Sequence, residues 1–484
     1  YYLAWGERLL KQLDGPKGKE TRRAVGWELD NLDAVCQRFL DSDPELAARA
    51  VLVMAPVMRL IGPLDGHVDL LERTVAAADA AHDRVDVVVR ARLHQARGHM
   101  RRIRARFAEA REDLESALEL AESAADRLLE GLVLEDLCML ALDQGEVQAA
   151  VSAAKRLTAI ADAVGDRRLQ AAALFVTGRS MSFDPSRFAE SHGVLRQALA
   201  AHEQLGLLVK TAAILQALAV GAAQSLRHHE AVALFEKALA VHRDLGDRRS
   251  QAAVTGNLGL LAVQGGDLER AEGLFARCLR MQRRLGDRRA QGIFRMNRGV
   301  CRALAGRGED AIADLDAGNR LLASYASPYY HGAGWRYLGT VLQLHDRMDE
   351  AEDALRKALV IFEDDQTGWM QASGYGTLAA LLADRDQVAE ADALMARCDA
   401  GVRIESGGAF ASLCRGHLEL AQARVYAESG DTATARRLIG DAARRLAWRG
   451  YDAGSERARG PQEATNRLAC MALERALART RGSA

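Results

Sequence analysis

The stretch from Leu245 to Gly286 reads LGDRRSQAAVTGNLGLLAVQGGDLERAEGLFARCLRMQRRLG, and it ends where its opening phrase begins again. Gly246-Asp247-Arg248-Arg249 returns as Gly286-Asp287-Arg288-Arg289, an interval of 40 residues. Leu205-Gly206 lies one interval earlier, and Gly165-Asp166-Arg167-Arg168 lies roughly one more. A period of this size, held over several copies, predicts a repeat array.

Within each copy the apolar residues fall into two amphipathic stretches. In the opening copy these are Arg249–Gln264 and Leu268–Leu285, separated by the polar turn Gly265-Gly266-Asp267. We therefore predict two helices per repeat, with a glycine ending one helix in the left-handed conformation and an aspartate capping the next. A single helical hairpin cannot bury both of its faces, so the hairpins are expected to stack into a solenoid.

Small residues mark the second helix of every copy. Gly259 and Ala271 are expected to let the two helices of one hairpin approach closely, while Leu258 and Phe275 fill the gaps toward the neighbouring repeat. The residues equivalent to Ala271 in successive copies are Ala110, Ala150, Ser191, Ala231, Ala271, Ala311, Ala351, Ala391 and Ala435. The steps between them are 40, 41, 40, 40, 40, 40, 40 and 44 residues.

Composition narrows the class of protein. Hydrophobic residues make up 49% of the 484 residues and there are seven prolines, which favours helix throughout. The 65 basic and 66 acidic residues nearly cancel, so we expect no nucleic-acid contact and, without a long apolar run, no membrane contact.

Seven scattered cysteines predict neither disulfides nor a metal site and favour the cytoplasm. Because the first residue is Tyr1, we expect a piece of a longer protein.

A family resemblance rests on the copy that contains Trp335. Trp335-x-x-Leu338-Gly339, followed by Ala351, Leu355 and Ala358, resembles the tetratricopeptide repeat signature at its usual offsets. The longer period and Asn257-Leu258-Gly259 resemble the 40-residue variety of that repeat. HEAT and armadillo repeats have similar periods, but two helices and these offsets fit the tetratricopeptide repeat.

The resemblance implies an all-α fold, a right-handed superhelix of helical hairpins. About nine repeats are expected over residues 83–450, after a degenerate first repeat over 44–82, and a C-terminal capping helix over 451–484. Residues 1–43 are expected to be an N-terminal helical linker or adaptor, with helices over Tyr1–Leu13 and Glu20–Leu40. Asp43 and Pro44 are expected to start the next helix.

A second resemblance lies near the N-terminus. Tyr1-Tyr2-Leu3-Ala4-x-x-Glu7 and the sequence GWELDNLDA at residues 26–34 resemble the segment that joins the ATPase and winged-helix modules of bacterial STAND-type signalling ATPases to their tetratricopeptide sensor. This resemblance implies that the chain is the ligand-sensing, regulatory region of a larger ATPase or transcriptional regulator.

Candidate binding residues follow from the tetratricopeptide resemblance, which places the ligand on the first helices of the repeats. In the register of Gly259, the polar residues expected to face a protein or peptide ligand are Gln216, Asn257, Asn297, Arg336 and Tyr337. Their side chains can hydrogen-bond a peptide backbone or a carboxylate. The alternative is that they are solvated or link neighbouring helices. The lysine and asparagine clamp of chaperone-binding repeats is absent, which argues against a C-terminal carboxylate as the ligand.

Four other features have plainer interpretations. Trp335 is expected in the core. Tyr329 and Tyr330 of the same aromatic cluster remain candidates for contact with a ligand. The arginine-rich run at 101–106 is expected to be a solvated edge rather than a phosphate contact. His228-His229-Glu230 lacks a second ligand cluster and predicts no metal site. GPKGKET at 15–21 has the wrong spacing for a phosphate-binding loop and predicts a solvated turn.

No nucleophile, base and orienting group occur in a recognisable arrangement, so no catalysis and no cofactor are expected in this chain. The leading hypothesis is a cytoplasmic, protein- or peptide-binding repeat array that senses a signal for an ATPase module of the same polypeptide. The alternatives are a free-standing scaffold for complex assembly, or a regulatory array fused to a kinase or protease.

Overall fold

The structure is a computed structural model that describes residues 1–10, 13, 18–60, 64–225, 227–324, 328–364, 368–385, 387–404 and scattered positions between 419 and 441. Every regular element in these residues is helical, which confirms the predicted all-α repeat fold. The expected capping helix at 451–484 and most of the last repeat lie outside the described residues. The chain divides into two compact units, Tyr1–Val254 and Thr255–Ala484.

The first unit starts with three short helices and continues as helical hairpins. Helices α1–α5 are Tyr2–Leu10, Gly18–Trp27, Leu29–Phe39, Pro44–Met58 and Leu64–Ala80. Helices α6–α9 are Val87–Ile103, Phe107–Ser123, Arg127–Asp143 and Val147–Val164. Helices α10–α13 are Arg167–Met181, Phe188–Gln204, Leu208–Gln224 and His228–Leu245, with a 3-10 turn at Pro185–Arg187 before α11.

The second unit continues the same pattern. Helix α14, Arg248–Gln264, contains the boundary between the units. Helices α15–α18 are Leu268–Leu285, Arg288–Leu304, Gly308–Leu322 and Pro328–Leu344, and helices α19–α21 are Met348–Asp364, Gly368–Asp384 and Val388–Ile404. Helices α14 and α15 therefore match the two helices predicted for the opening copy to within one residue.

The recurring Gly-Asp phrase ends one helix and caps the next at the junction between repeats, as predicted. Gly246 and Gly286 adopt φ of 71° and 70°, the left-handed conformation that ends a helix and that a side chain would strain. The carboxylate of Asp287 then accepts a hydrogen bond from the backbone N–H of Ala290 at 2.9 Å. Asp247 does the same for Ser250 at 2.9 Å. These contacts fix where each repeat ends and the next begins.

Close approach within a hairpin depends on one glycine of the first helix. A Cβ atom built on Gly259 would lie 2.8 Å from Phe275, and one built on Gly299 would lie 2.8 Å from Leu315. The same contact recurs for Gly98 with Leu114 and for Gly339 with Leu355. The prediction that Phe275 fills a gap toward the next repeat was thus incomplete, because its ring first occupies the space above Gly259 in its own hairpin. The eight marker residues from Ala110 to Ala391 are all buried.

The N-terminal helices share a core with the first repeats. Buried side chains of α2 and α3 form one apolar cluster with α4, α5 and α6. The single helix predicted over Glu20–Leu40 was wrong, because the chain turns at Glu28, whose backbone (φ −102°, ψ 9°) leaves the helical region. Asp43 caps α4 through the backbone N–H of Leu46 at 3.1 Å, as predicted. Of the segment 15–21, residues 15–17 lie outside the described part and Gly18 begins α2.

Five cysteines can be placed, and each is buried and forms no disulfide: Cys36, Cys138, Cys278, Cys301 and Cys398. Cys414 and Cys470 lie outside the described residues. Among the residues that are described, no helix is long and apolar enough to cross a membrane, and no group of three or more metal-ligating side chains comes together.

Candidate ligand-binding surface

The first helices of successive hairpins touch one another within each unit. In the first unit α6 contacts α8 and α8 contacts α10, and in the second unit α16 contacts α18 and α18 contacts α20. Side chains on the facing sides of these first helices therefore meet across repeat boundaries. This is the surface on which the predicted residues were expected.

The five predicted residues fall into two registers relative to the small marker residue. Gln216 and Arg336 lie fifteen residues before Ala231 and Ala351, whereas Asn257, Asn297 and Tyr337 lie fourteen residues before theirs. Adjacent helical positions differ by about 100° around the helix axis, so the two registers do not point the same way.

Gln216 links neighbouring helices. Its side-chain nitrogen lies 2.8 Å from Nε2 of His242, whose Nδ1 lies 3.2 Å from the carboxylate of Asp247. His242 and Asp247 are both buried. Burial would raise the pKa of Asp247, but the hydrogen bonds from His242 and Ser250 outweigh it and lower that pKa. The alternative left open for Gln216, a link between helices, is thus present in the structure.

The remaining predicted residues lie in the second unit. Asn257 and Asn297 are half-buried, and neither amide forms a hydrogen bond with another described residue. The guanidinium of Arg336 lies 4.8 Å from the ring centre of Tyr337. Tyr337 is 8% exposed and belongs to the apolar core of this unit, so its ring offers little area to a ligand.

The neighbouring aromatic cluster is partly structural. Trp335 packs against Ala358 and Phe362, donates from Nε1 to Nε2 of His331 at 2.9 Å, and lies beneath the ammonium of Lys357 at 4.7 Å. Its predicted core position is only partly met, because Trp335 is half-buried at the edge of the core. Tyr330 is half-buried, with Arg289 over its ring. The side chain of Tyr329 lies outside the described part of the chain.

The same two registers reach a polar cluster in the first unit that the sequence reasoning missed. Fifteen residues before Ala110 and Ala150 stand Gln95 and Glu135, and fourteen before Ala150 stands Asp136. We call the resulting cluster on α6, α8, α10 and α12 the inner polar cluster; its members are Gln95, His99, Arg102, Glu135, Asp136, Asp143, Arg179 and Lys210. The sequence contained the signal for Glu135 and Asp136, because they occupy in an earlier repeat the register positions of Gln216 and Asn257.

Asp136 lies at the centre of one half of this cluster. Gln95 donates to its Oδ2 at 2.9 Å, and Nδ1 of His99 lies 3.0 Å from its Oδ1. Burial alone would raise the pKa of Asp136, but His99, Lys210 and Arg102 together hold that pKa well below its usual range. Burial also lowers the pKa of His99. Asp136 is therefore an anion held by neighbouring repeats.

Lys210 pairs with a residue that is much farther away in the sequence. Its ammonium pairs with the carboxylate of Glu135, 75 residues earlier, and the Glu135 side chain is 4% exposed. Lys210 belongs to α12 and Glu135 to α8, so the pair joins first helices two repeats apart. This contact shows that side chains of first helices two repeats apart can meet in this unit.

Arg179 completes the other half of the cluster. Arg102 donates to Asp143 at 2.6 Å, and the charge of Asp143 also acts on Arg179. Arg179 itself forms no ion pair with any described residue, and burial lowers its pKa. Burying a cation without a carboxylate partner is costly, so this guanidinium favours an incoming anion.

The arginine-rich run at 101–106 does not form the solvated edge that was predicted. Arg101 is 13% exposed and pairs with Asp113 at 2.9 Å and with Glu72 at 3.3 Å. Arg106 also pairs with Glu72, at 3.0 Å. The run holds α5, α6 and α7 together because the carboxylates that compensate it come from neighbouring helices.

Comparison with known proteins agrees with this architecture. Residues 210–284 match the family model described as tetratricopeptide repeat. The chain therefore contains tetratricopeptide repeats. No curated protein sequence matches it.

Two solved structures of tetratricopeptide repeat proteins resemble the chain. The apo form of RapI superposes with a TM-score of 0.54 at 12% identity, covering 75% of this chain and 99% of RapI. A Rap protein complexed with competence and sporulation factor gives 0.50 at 15% identity, covering 81% and 98%. A STAND protein with a tetratricopeptide repeat sensor from Pyrococcus horikoshii gives 0.36 at 12% identity, covering 88% of this chain and 55% of that one. At such identities the likeness concerns the fold alone, which is consistent with a protein-binding scaffold.

Proposed function

We propose that this repeat array binds an acidic peptide or protein segment on its first helices, with the inner polar cluster of the first unit as the main site. The observation that carries the proposal is Arg179. It is a half-buried guanidinium without a carboxylate partner among the described residues, and it lies among charged groups contributed by three repeats.

The surrounding groups suit an extended polypeptide. Gln95 and His99 supply neutral hydrogen-bonding groups, while Arg102 and Lys210 supply cations that already pair with Asp143 and Glu135. A ligand carboxylate at Arg179 forms a charge-assisted hydrogen bond, which contributes about 1.5–3 kcal/mol. In the second unit, Asn257 and Asn297 stand one repeat apart and can bind backbone groups of a polypeptide.

The fold neighbour in complex with competence and sporulation factor supports a ligand-binding role for this kind of array. The sequence at residues 26–34 supports the finer proposal, that the chain is the sensor of a STAND-type ATPase or transcriptional regulator. Ligand binding would then favour one of two states of the larger protein by its difference in affinity for them.

Binding is tested with a peptide array that varies the number and position of acidic residues, followed by titration of the best peptide. Arg179→Gln should weaken binding about 10-fold to 100-fold, since one charge-assisted hydrogen bond is lost. Arg168→Gln is the matched control, because Arg168 is an exposed arginine at the start of the same helix. Asn257→Ala with Asn297→Ala tests the second unit separately. Equal affinity for all four proteins would refute the proposed surface.

The sensor role has its own test in the gene. An in-frame phosphate-binding loop motif upstream of Tyr1 supports a STAND-type switch. A start codon beside Tyr1 would leave a free-standing binding protein.

A further inference from the structure

The end of the opening copy and the first helix of the next repeat carry a strong local excess of positive charge. Between Arg277 and Arg307 there are ten arginines, no lysine and one acidic residue, Asp287, in a chain whose net charge is −1. The balanced total was the reason to expect no nucleic-acid contact, but a total charge averages over the surface. Local clustering on one face is the relevant quantity.

Nine of the ten arginines divide into two groups in the structure, and the tenth, Arg289, lies over the ring of Tyr330. Arg295, Arg298 and Arg302 turn toward Asp314, and Arg302 and Arg307 pair with Glu272. These side chains hold α15, α16 and α17 together. They are structural, and we assign them no ligand.

The second group is exposed. It consists of Arg277, Arg280, Arg283 and Arg284 on α15 and Arg288 at the start of α16, and we call it the arginine face. None of these five side chains forms an ion pair with another residue in the described part of the chain. Arg277, Arg280 and Arg284 are spaced by three and four residues, so they share one side of α15. Asp287, the one acidic residue of this span of sequence, uses its carboxylate to cap α16.

We propose that the arginine face binds the phosphate backbone of nucleic acid without reading its sequence. Guanidinium groups bind phosphate oxygens in a bidentate manner, which an ammonium group cannot do. An arginine-only face thus fits a phosphate or a carboxylate better than it fits a spherical anion.

The composition of the face also argues against a protein or a membrane. Protein interfaces carry aromatic or aliphatic anchors at their centre, and surface-bound membrane proteins insert such side chains. The exposed large apolar side chains of the second unit's described residues are Val360 and Tyr426, and both lie outside α15 and α16. Nucleic-acid interfaces, in contrast, are polar and strongly positive.

The test measures fluorescence anisotropy of a labelled 30-base-pair duplex of random sequence with the whole chain, from 25 to 300 mM salt. We expect a dissociation constant on the order of 1–100 μM near physiological salt. The logarithm of the affinity should fall with the logarithm of the salt concentration, by about 0.9 for each phosphate contacted.

A triple variant, Arg280→Gln with Arg284→Gln and Arg288→Gln, should lower the affinity about tenfold or more at low salt and reduce the salt slope by about 2–3. The matched control is Arg84→Gln with Arg168→Gln and Arg243→Gln. It removes the same charge from exposed arginines of the first unit that have no ion pair among described residues. Thermal melts should be alike for all three proteins, because none of the six side chains is buried.

Three results would overturn the proposal. The first is the absence of duplex binding at 25 mM salt. The second is an equal loss of affinity in the control variant, which would show binding by total charge alone. The third is a greater loss of affinity in the triple variant for polyglutamate, or for vesicles containing anionic lipid, than for the duplex, which would assign the arginine face to an acidic protein segment or to a membrane surface.

Discussion

Arg298 donates two hydrogen bonds to Asp314, from Nε to Oδ2 and from Nη2 to Oδ1, each at 2.6 Å. Asp314 has a side chain that is 4% exposed, and Arg302 reaches the same carboxylate at 2.9 Å. The identical arrangement joins Arg97 and Arg101 to Asp113, 201 residues earlier. In both hairpins one carboxylate of the second helix pairs with two arginines of the first, and Asp314 also pairs with Arg295.

Asp314→Asn should lower the free energy of unfolding by about 3–5 kcal/mol, since it leaves buried guanidinium groups without their counter-charge. The measurement is urea unfolding followed by circular dichroism. Asp316→Asn is the control: Asp316 pairs with the exposed Arg320, whose side chain is 73% accessible, and such pairs contribute about 0–1 kcal/mol. A similar small effect of both substitutions would mean that water replaces the carboxylate at Asp314.

Gly299→Ala should destabilise the second unit by about 1–3 kcal/mol, because the added methyl group would lie 2.8 Å from Leu315 and force the hairpin apart. Gly273→Ala is the matched control. Gly273 is a helical glycine of the same unit whose Cβ would meet nothing within 4 Å, so alanine there should stabilise by about 0.5–1 kcal/mol. Thermal unfolding distinguishes the two, since the midpoints should move in opposite directions.

Two capping aspartates, one at the turn inside a hairpin and one at the junction between repeats, should respond differently to the same change. Asp267 only caps α15, through the N–H of Arg270 at 3.1 Å. Asp267→Ala should therefore cost about 0.5–2 kcal/mol, and Asp267→Asn should restore most of it. Asp247 caps α14 and also holds His242, so Asp247→Asn should restore less than its counterpart does. Equal rescue at both positions, in urea titrations at pH 7, would show that the contact with His242 adds nothing.

The 40-residue periodicity predicted the fold well because the packing of each hairpin on the next recurs with the same period. The interval of 40 residues, the small residues and the Gly-Asp junctions each follow from stacking one hairpin on the next, so a single copy determines the others. Departures from the period were harder to predict. The turn at Glu28 interrupts an otherwise helical sequence, and no proline or glycine at that position predicts it.

The binding surface was only partly predictable, for a physical reason. Register identifies which residues lie on the facing sides of the first helices, and it would have added Glu135 and Asp136 to Gln216 and Asn257. Whether a polar group is free depends on contacts from other repeats. Gln216 meets His242 and Lys210 meets Glu135, and neither pairing can be inferred from local sequence.

His94 makes the stability of the fold depend on pH. Its Nε2 lies 3.1 Å from Asp79 and its Nδ1 lies 3.4 Å from Asp113. Burial lowers the pKa of His94, but the two carboxylates outweigh burial, and the nearby charge of Arg97, and raise the pKa above its ordinary value. Both carboxylates have pKa values below their usual range, so they stay ionised in mildly acidic solution.

Because the folded state binds the His94 proton more tightly than the unfolded chain does, this contribution to stability is fully present below about pH 6.5 and is lost as the pH rises through the folded-state pKa. We expect His94→Gln to lower the free energy of unfolding more at pH 5.5 than at pH 8.5. Urea titrations of both proteins across this range measure the difference. His82→Gln serves as the control, since the His82 side chain is 60% exposed and should show no such trend. A difference between wild type and His94→Gln that stays constant with pH would mean that His94 contributes by packing and not by charge.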